Sequence, residues 1–159
     1  MTLQKPALDP RGATAVSGTS YPEPYRSRIS GRQRRRLGDA LGLTRVGINQ
    51  TTIAPGKESS MRHWHTHEDE FVYVLAGELV LRTGSGEQVL TAGMCAGFPA
   101  GYEDGHQLIN RTDRDAVYLE VSNRHPEDTA YYSDPDVDMV WSAPHARGTI
   151  THRDGTPYS

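Results

Sequence analysis

One stretch of this chain, Gly56-Lys-Glu-Ser-Ser-Met-Arg-His63-Trp-His65-Thr-His67-Glu-Asp-Glu70, places three histidines close to a glutamate among segments that alternate like β-strands. Side chains two apart on an extended strand point to the same face, so His63 and His65 project into one space. Glu70 can join them if the chain bends, and His106 on a distant strand completes the set. The pattern predicts a metal site built inside a β-barrel.

Short β-rich segments separated by turns extend on both sides of this stretch, from residue 44 to residue 121. The predicted strands are Val46–Ile53, Arg62–His67, Glu70–Leu75, Glu78–Arg82, Gln88–Leu90, His106–Asn110 and Ala116–Val121. Many short strands at this spacing are typical of an all-β sandwich or barrel.

The length of 159 residues suits one domain with a substantial core. Residues 1–30 are rich in Pro, Gly, Ser and Thr and lack periodicity, which predicts an irregular N-terminal arm. We assign residues 31–122 to the barrel and residues 123–159 to a C-terminal extension packed on it.

The composition narrows the range of partners and locations. A net charge of −3 gives no reason to expect nucleic acid as a partner. No apolar run approaches the length of a membrane span, and the first ten residues lack the apolar stretch of a signal peptide. The single cysteine, Cys95, cannot form an internal disulfide. We therefore expect a cytoplasmic protein that does not contact a membrane.

A dense positive patch, Arg32-Gln-Arg-Arg-Arg36, stands at the start of the predicted barrel. A solvated loop that enters the domain is the simpler interpretation of this patch. The alternative, functional interpretation is a site for an anion or a phosphate group.

The spacing of the histidine stretch resembles the two sequence motifs of the cupin superfamily. The first motif is matched by Gly56, His63, His65, Glu70 and Gly77, with a spacer after Gly56 that is one residue longer than usual. The second motif is matched, with a four-residue spacer before the histidine where two are typical, by Gly93, Pro99, Gly101, His106 and Asn110. A narrower likeness links residues 21–158 to small bacterial single-domain cupins, which mostly carry generic labels and sometimes that of a provisional sugar phosphate isomerase.

The resemblance implies a fold and a metal centre. The fold would be the cupin double-stranded β-helix, a jelly-roll barrel, and the ligands of one divalent metal per chain would be His63, His65, Glu70 and His106. Three imidazoles and a carboxylate suit Fe, Mn, Ni, Co or Zn, and do not suit Ca or Mg. Four protein ligands leave two octahedral positions for water or a chelating substrate.

Three functional hypotheses follow from such a centre. The first is isomerisation or epimerisation of a small sugar or sugar acid, with the metal as Lewis acid. The second is an Fe(II)-dependent dioxygenase, and the third is a cupin that binds a small ligand without catalysis. A likeness of fold cannot choose among them.

Further residues are weaker candidates for the site. His67 continues the alternation of His63 and His65 but leaves no glutamate at motif distance, so we place it outside the metal ligands, as a candidate proton carrier or an exposed strand end. Candidate residues of the substrate pocket or its mouth are Gln50, Tyr73, Tyr102, Gln107 and Tyr118. The segment Phe71–Leu75 is apolar on both faces, so its outer face needs a cover. The N-terminal arm could supply it, but we expect a homodimer.

Overall fold

Short antiparallel strands make up most of the protein, and the computed structural model describes residues 4–143 and 148–158. The strands are β1 Ala15–Ser17, β2 Arg32–Arg36, β3 Val46–Ile53, β4 His63–His65, β5 Glu70–Ala76, β6 Glu78–Thr83, β7 Gly86–Thr91, β8 Cys95–Phe98, β9 Gln107–Ile109, β10 Ala116–Asn123, β11 Thr129–Tyr132, β12 Val140–Ser142 and β13 Thr149–Thr151. The helices are short: a 3₁₀ turn at Pro10–Gly12, α1 Arg26–Ile29 and α2 Leu37–Leu41.

The strands form three sheets. The largest has the order β1-β2-β3-β10-β5-β8, and the others run β7-β6-β9 and β13-β12-β11-β4. An isolated bridge between His63 and His106 joins the two smaller sheets at their neighbouring edges. One buried apolar cluster takes side chains from β3, β5 and β10 on one side and from β6, β7 and β9 on the other. This is the expected all-β double-stranded β-helix.

Strand alternation separates the inside of the barrel from its outer face. On β5, Val72 and Val74 are buried while Phe71, Tyr73 and Leu75 are exposed. The turn from β5 to β6 needs glycine, since Gly77 has a φ of 78° and a Cβ there would lie 3.0 Å from the Cα of Ala116. The tight turn carries the chain from β5 in the large sheet to β6 in the three-stranded sheet through a single residue.

The arm and the extension pack together outside the barrel core. The arm is mostly irregular, although β1 pairs with β2 at the edge of the large sheet. Its Tyr21, Tyr25 and Ile29 share a second buried cluster with residues of the extension. In the extension, β11 pairs with β4, the strand that carries His63 and His65. The last part of the chain therefore supports the predicted site directly.

No helix among the described residues is long and apolar enough to cross a membrane.

Candidate metal centre and its cavity

Four side chains predicted as metal ligands meet inside the barrel. Nε2 of His63, His65 and His106 lie 3.8, 3.6 and 3.0 Å from Oε2 of Glu70. His63, Glu70 and His106 offer ligand atoms that are all within 4.8 Å of one another. The backbones of His63 and His106 are joined by two hydrogen bonds, so strand pairing places these two imidazoles side by side.

Hydrogen bonds fix which nitrogen of His63 and His65 faces Glu70. Nδ1 of His63 donates to the carbonyl oxygen of Met61 at 2.8 Å, and Nδ1 of His65 donates to Oδ2 of Asp128 at 2.5 Å. A proton on Nδ1 leaves the lone pair of Nε2 free on the side of Glu70. Such outer partners set the tautomer and orientation that a metal-ligating histidine needs.

His106 is held by stacking. Its ring lies parallel to that of Phe98, with centroids 3.5 Å apart and an interplanar angle of 3°. Its Nδ1 is buried and has no hydrogen-bond partner among the described residues. Phe98 therefore fixes the plane of the His106 ring, while the bridge to His63 fixes its backbone.

The charges of the cluster are strongly coupled. Burial, followed by the neighbouring His106, lowers the pKa of His63 to about 3. Burial also opposes a charge on His65, but the Glu70 carboxylate and then Asp128 raise the pKa of this histidine to about 9. Burial acts to raise the pKa of Glu70 as well, yet the charge of His65 and the contact with His106 hold it well below its usual range. The site thus favours positive charge beside an ionised Glu70.

The donor set fits a transition metal. Oε2 of Glu70 is buried and makes no well-aligned hydrogen bond within the described part of the chain, although three imidazole nitrogens surround it. A buried carboxylate oxygen without a partner is costly unless a cation or a donor satisfies it. Nitrogen and carboxylate oxygen ligands in this number suit Fe, Mn, Ni, Co or Zn. These residues could therefore hold one such ion.

A cavity of about 280 Å³ opens onto this cluster. His65, Glu70 and His106 reach its wall, as do the carboxylates of Glu68 and Asp104. The rest of the lining is formed by Trp64, Leu81, Thr83, Gln88, Ala96, Gly97, Phe98, Pro99 and Tyr102. Apolar and aromatic walls with a few convergent polar groups are typical of small-molecule sites.

The structure places the five predicted pocket residues in different surroundings. Tyr102 lines the cavity, whereas Gln50, Tyr73, Gln107 and Tyr118 do not. Tyr73 lies on the outer face of β5 and is 38% exposed, and Gln50 lies opposite Leu119 on the outer side of β3. Gln107 is fully buried, donating to Glu58 and Ser60, and Tyr118 belongs to the apolar core. Alternation alone could not tell which face of each strand meets the cavity.

His67 also lies outside the cavity. Strand β4 ends at His65, so the alternation that would have turned His67 inward stops two residues too early. The His67 ring is exposed and stacks on His125, with centroids 4.6 Å apart. The prediction that His67 is not a member of the metal cluster agrees with this position, but a direct catalytic role there has no geometric support.

Two carboxylates at the site were not predicted. Asp128 is 1% exposed and binds both His65 and the backbone N–H of His67. Glu68 is 5% exposed, lines the cavity and accepts a hydrogen bond from the backbone of His125. Glu68 stands two residues before Glu70, so spacing could have suggested it. Asp128 has no local signal, since only the pairing of β11 with β4 brings it to His65.

Known proteins share this architecture. A family model described as a cupin domain matches residues 49–122. A sugar phosphate isomerase of the cupin superfamily from Silicibacter pomeroyi DSS-3 is 43% identical, with 97% of each chain covered and a TM-score of 0.90. A protein from Acidithiobacillus ferrooxidans ATCC 23270, provisionally named a sugar phosphate isomerase, is 29% identical over 80% of each chain, with a TM-score of 0.69.

A more distant match shows the fold alone. The polyketide cyclase RemF from Streptomyces resistomycificus is 16% identical, over 86% of this chain and 89% of its own, with a TM-score of 0.65. The comparison with curated proteins gave no match. The motifs, the double-stranded β-helix and the 43% identical relative agree, and the chain belongs to the cupin superfamily.

Proposed function

We propose that this protein is a metal-dependent enzyme that isomerises or epimerises a small sugar, sugar acid or sugar phosphate. The observation that carries the proposal is the opening of the His65, Glu70 and His106 side chains onto a cavity of about 280 Å³. The name of the Silicibacter relative supports the substrate class. A divalent transition metal held by His63, His65, Glu70 and His106 would supply Lewis-acid stabilisation of negative charge on a substrate oxygen.

Isomerisation also needs a group that moves a proton between neighbouring carbons, and Glu68 is our candidate. Its carboxylate lies in the cavity wall beside His65, and the backbone N–H of His125 holds Oε1 at 2.9 Å. A carboxylate in a largely apolar wall can accept a proton and return it. Trp64, Phe98 and Tyr102 offer flat apolar surfaces against which the carbon faces of a sugar can pack.

The test follows hydrogen at the reacting carbon. The protein is loaded in turn with Fe, Mn, Ni, Co and Zn and incubated in D₂O with aldoses, ketoses, their phosphates and sugar acids. We expect NMR to show deuterium entering next to a carbonyl, with no dependence on O₂. Oxygen uptake that matches product formation would instead establish the dioxygenase hypothesis, and binding without turnover would establish the non-catalytic one.

Two glutamate variants test the role of Glu68. Glu68→Gln should lower deuterium incorporation by about 100-fold or more while the protein keeps its metal, since general acid–base groups contribute that much. Glu127→Gln is the matched control, because this exposed glutamate does not line the cavity. Unchanged exchange in Glu68→Gln would remove Glu68 from the mechanism.

A further inference from the structure

Two arginines of β2 point into the barrel. Arg32 lies opposite Ile53 and Arg34 opposite Thr51 in the antiparallel pairing of β2 with β3. Directly opposed residues place their side chains on the same face. Ile53 and Thr51 are fully buried. The cluster Arg32–Arg36 is therefore neither a loop nor uniformly solvated, because its alternate members face inward.

Of the guanidinium groups of Arg32 and Arg34, that of Arg34 contacts a carboxylate and that of Arg32 contacts a backbone carbonyl oxygen. Nη2 of Arg34 lies 3.1 Å from Oε1 of Glu120. Glu120 also accepts hydrogen bonds from Asn49 and Tyr118. Arg32 donates to the carbonyl oxygen of Ser59 at 2.5 Å, and it has no carboxylate within 4.0 Å in the described part of the protein. A shielded cation without a counterion is costly, and an anionic ligand would remove that cost.

Donors remain free beside these groups. Nε of Arg32, Nε of Arg34 and Oγ1 of Thr51 are buried and lack hydrogen-bond partners among residues 4–143 and 148–158. Arg32 and Arg34 are alternate residues of β2 and share one face, and burial, followed by the charge of Arg34, lowers the pKa of Arg32. The Arg34 side chain is still 29% exposed, so a small molecule can reach it.

The arginine pair lies near the metal cluster. Burial raises the pKa of Tyr21, and the charges of Arg32 and Arg34 oppose that rise, so both arginines are neighbours of this ring. Tyr21 packs edge-on against Tyr132 at 5.8 Å, and Tyr132 lies 5.9 Å from the ring of His63. These ring contacts connect Tyr21 to His63, a candidate metal ligand.

The charges around Arg32 and Arg34 favour an anionic ligand. Two guanidinium groups and one carboxylate, that of Glu120, leave a local excess of one positive charge beside Arg32 and Arg34. A divalent metal adds two positive charges. A phosphate monoester carries about −1.5 to −2 at neutral pH and offers three acceptor oxygens, and arginine forks match phosphate oxygens in pairs.

We propose that Arg32 and Arg34, with Thr51 as a third donor, form an oxyanion subsite that holds the phosphate group of the substrate. The identification of this group as part of a substrate rests on the proposed isomerase function, whereas the subsite itself does not. Phosphate binding can therefore be measured without turnover and without metal.

The experiment titrates inorganic phosphate into the protein by calorimetry, once as purified and once after chelator treatment. We expect binding in both cases. Arg32→Gln and Arg34→Gln should each weaken it by about tenfold or more, because each removes a charge-assisted donor pair. Arg36→Gln is the matched control, since this arginine is exposed at the end of the same strand. Melting curves verify that each variant is folded, and Arg32→Lys and Arg34→Lys replace any glutamine variant that is not.

A fourth variant separates ligand binding from a merely structural role. Glu120→Gln removes the carboxylate that competes for Arg34, so phosphate should bind about threefold tighter or more. Arginines that only support the fold would not produce this gain. Equal binding by the wild type and the arginine variants, binding that disappears with the metal, or acetate binding as tightly as phosphate would each overturn the proposal. Phosphate binding without isomerase activity would leave the subsite standing and reject the proposed function alone.

Discussion

The two ends of the barrel interior are built from the same strands and differ in chemistry. Inward side chains of β5 change from Val74 and Val72 to Glu70, and those of β10 change from Ala116 and Tyr118 to Glu120. In the paired register, Glu70 lies opposite Ser122 and Val74 lies opposite Tyr118. One end is thus an apolar core, and the other collects histidines and carboxylates, with Arg34 reaching Glu120 from β2.

The difference shows how the fold can carry an ionisable site without losing its core. Nine buried apolar side chains at one end hold the strands in register, Ile53, Val72, Val74, Leu79, Leu81, Leu90, Leu108, Ala116 and Tyr118. At the other end, buried polar groups satisfy one another in pairs such as His65 with Asp128 and Arg34 with Glu120. The free energy of unfolding and the binding of metal should therefore respond to different substitutions.

His106→Ala should have the largest effect of these variants on metal binding at the polar end of the barrel interior. We expect metal retention to fall by more than about 100-fold, beyond the 10–100-fold typical of outer partners, because one ligand and its contact with Glu70 are lost. The apolar end is untouched, so the fold should remain. Elemental analysis and far-ultraviolet circular dichroism measure the two effects. His152→Ala is the control, since His152 is a surface histidine outside the cavity. Full metal occupancy in His106→Ala would refute the ligand assignment.

Leu79→Ala should have the opposite effect. Leu79 is fully buried in the apolar cluster, so its truncation should cost about 2–5 kcal/mol in the free energy of unfolding. Metal content per folded molecule should stay unchanged. Val89→Ala on neighbouring β7 is the control and should cost less than about 0.5 kcal/mol, since Val89 is 53% exposed. Denaturant unfolding measures the free energy of unfolding of both variants. Metal loss in folded Leu79→Ala would show that the two ends are not independent.

Asp128→Asn should weaken the metal centre without removing a ligand. An asparagine amide cannot accept the Nδ1–H of His65 while its oxygen still serves the backbone of His67, so the His65 tautomer is no longer fixed. Metal affinity should fall by about 10–100-fold in a chelator competition. Asp138→Asn is a matched control, because Asp138 binds Nδ1 of His152 at 2.8 Å in the same way outside the cavity. Equal affinities in the two variants would show that Asp128 does not orient His65.

The sequence is sufficient to predict the all-β fold and the grouping of four candidate metal ligands. The sequence predicts β3 with its observed bounds, because the segment is rich in β-branched residues and ends at the turn of Pro55 and Gly56. His63, His65, Glu70 and His106 were identifiable because strand alternation and motif spacing are local properties. In the structure, Nε2 of each of the three histidines lies within 3.8 Å of Oε2 of Glu70.

Long-range contacts explain what the sequence did not reveal. β2 reads Arg-Gln-Arg-Arg-Arg and has no apolar alternation, so its pairing with β1 and β3 and the ion pair of Arg34 with Glu120 make it a strand. Asp128 reaches His65 across 63 positions of chain. The end of β4 at His65 removed His67 from the inner face. Each of these features depends on tertiary partners and not on neighbours in the chain.

The outer face of β5 contrasts with both ends of the interior, and we propose that a second copy covers it. Phe71, Tyr73 and Leu75 are each about 40% exposed there. Within residues 4–30 the arm does not supply the cover, because β1 lies four strands away from β5 in the sheet order and Phe71, Tyr73 and Leu75 stay exposed. Tyr73→Glu should raise the dimer dissociation constant by about tenfold or more in sedimentation experiments. Tyr131→Glu, on an exposed tyrosine of another sheet, is the control, and a monomeric wild type would reject the dimer.

Asp138→Asn should cause the smallest loss of stability of these variants. Its pH dependence can be compared with that of Asp128→Asn. The backbone N–H of Arg153, followed by His152, lowers the pKa of Asp138 from its usual 3.8. A carboxyl with a lowered folded-state pKa stabilises the fold above pH 3.8, and this contribution disappears as the pH falls through the folded-state value. The variant should therefore melt slightly below the wild type at pH 7 and together with it in strong acid.

Solvent screens the exposed Asp138 pair, whereas Asp128 is 1% exposed. Melting curves between neutral and acidic pH should therefore show a smaller loss for Asp138→Asn than for Asp128→Asn at every pH where both carboxylates are ionised. An equal loss would mean that burial does not distinguish the two Asp–His pairs. The stability that each aspartate contributes would then depend on its hydrogen bond with the histidine and not on its burial inside the barrel.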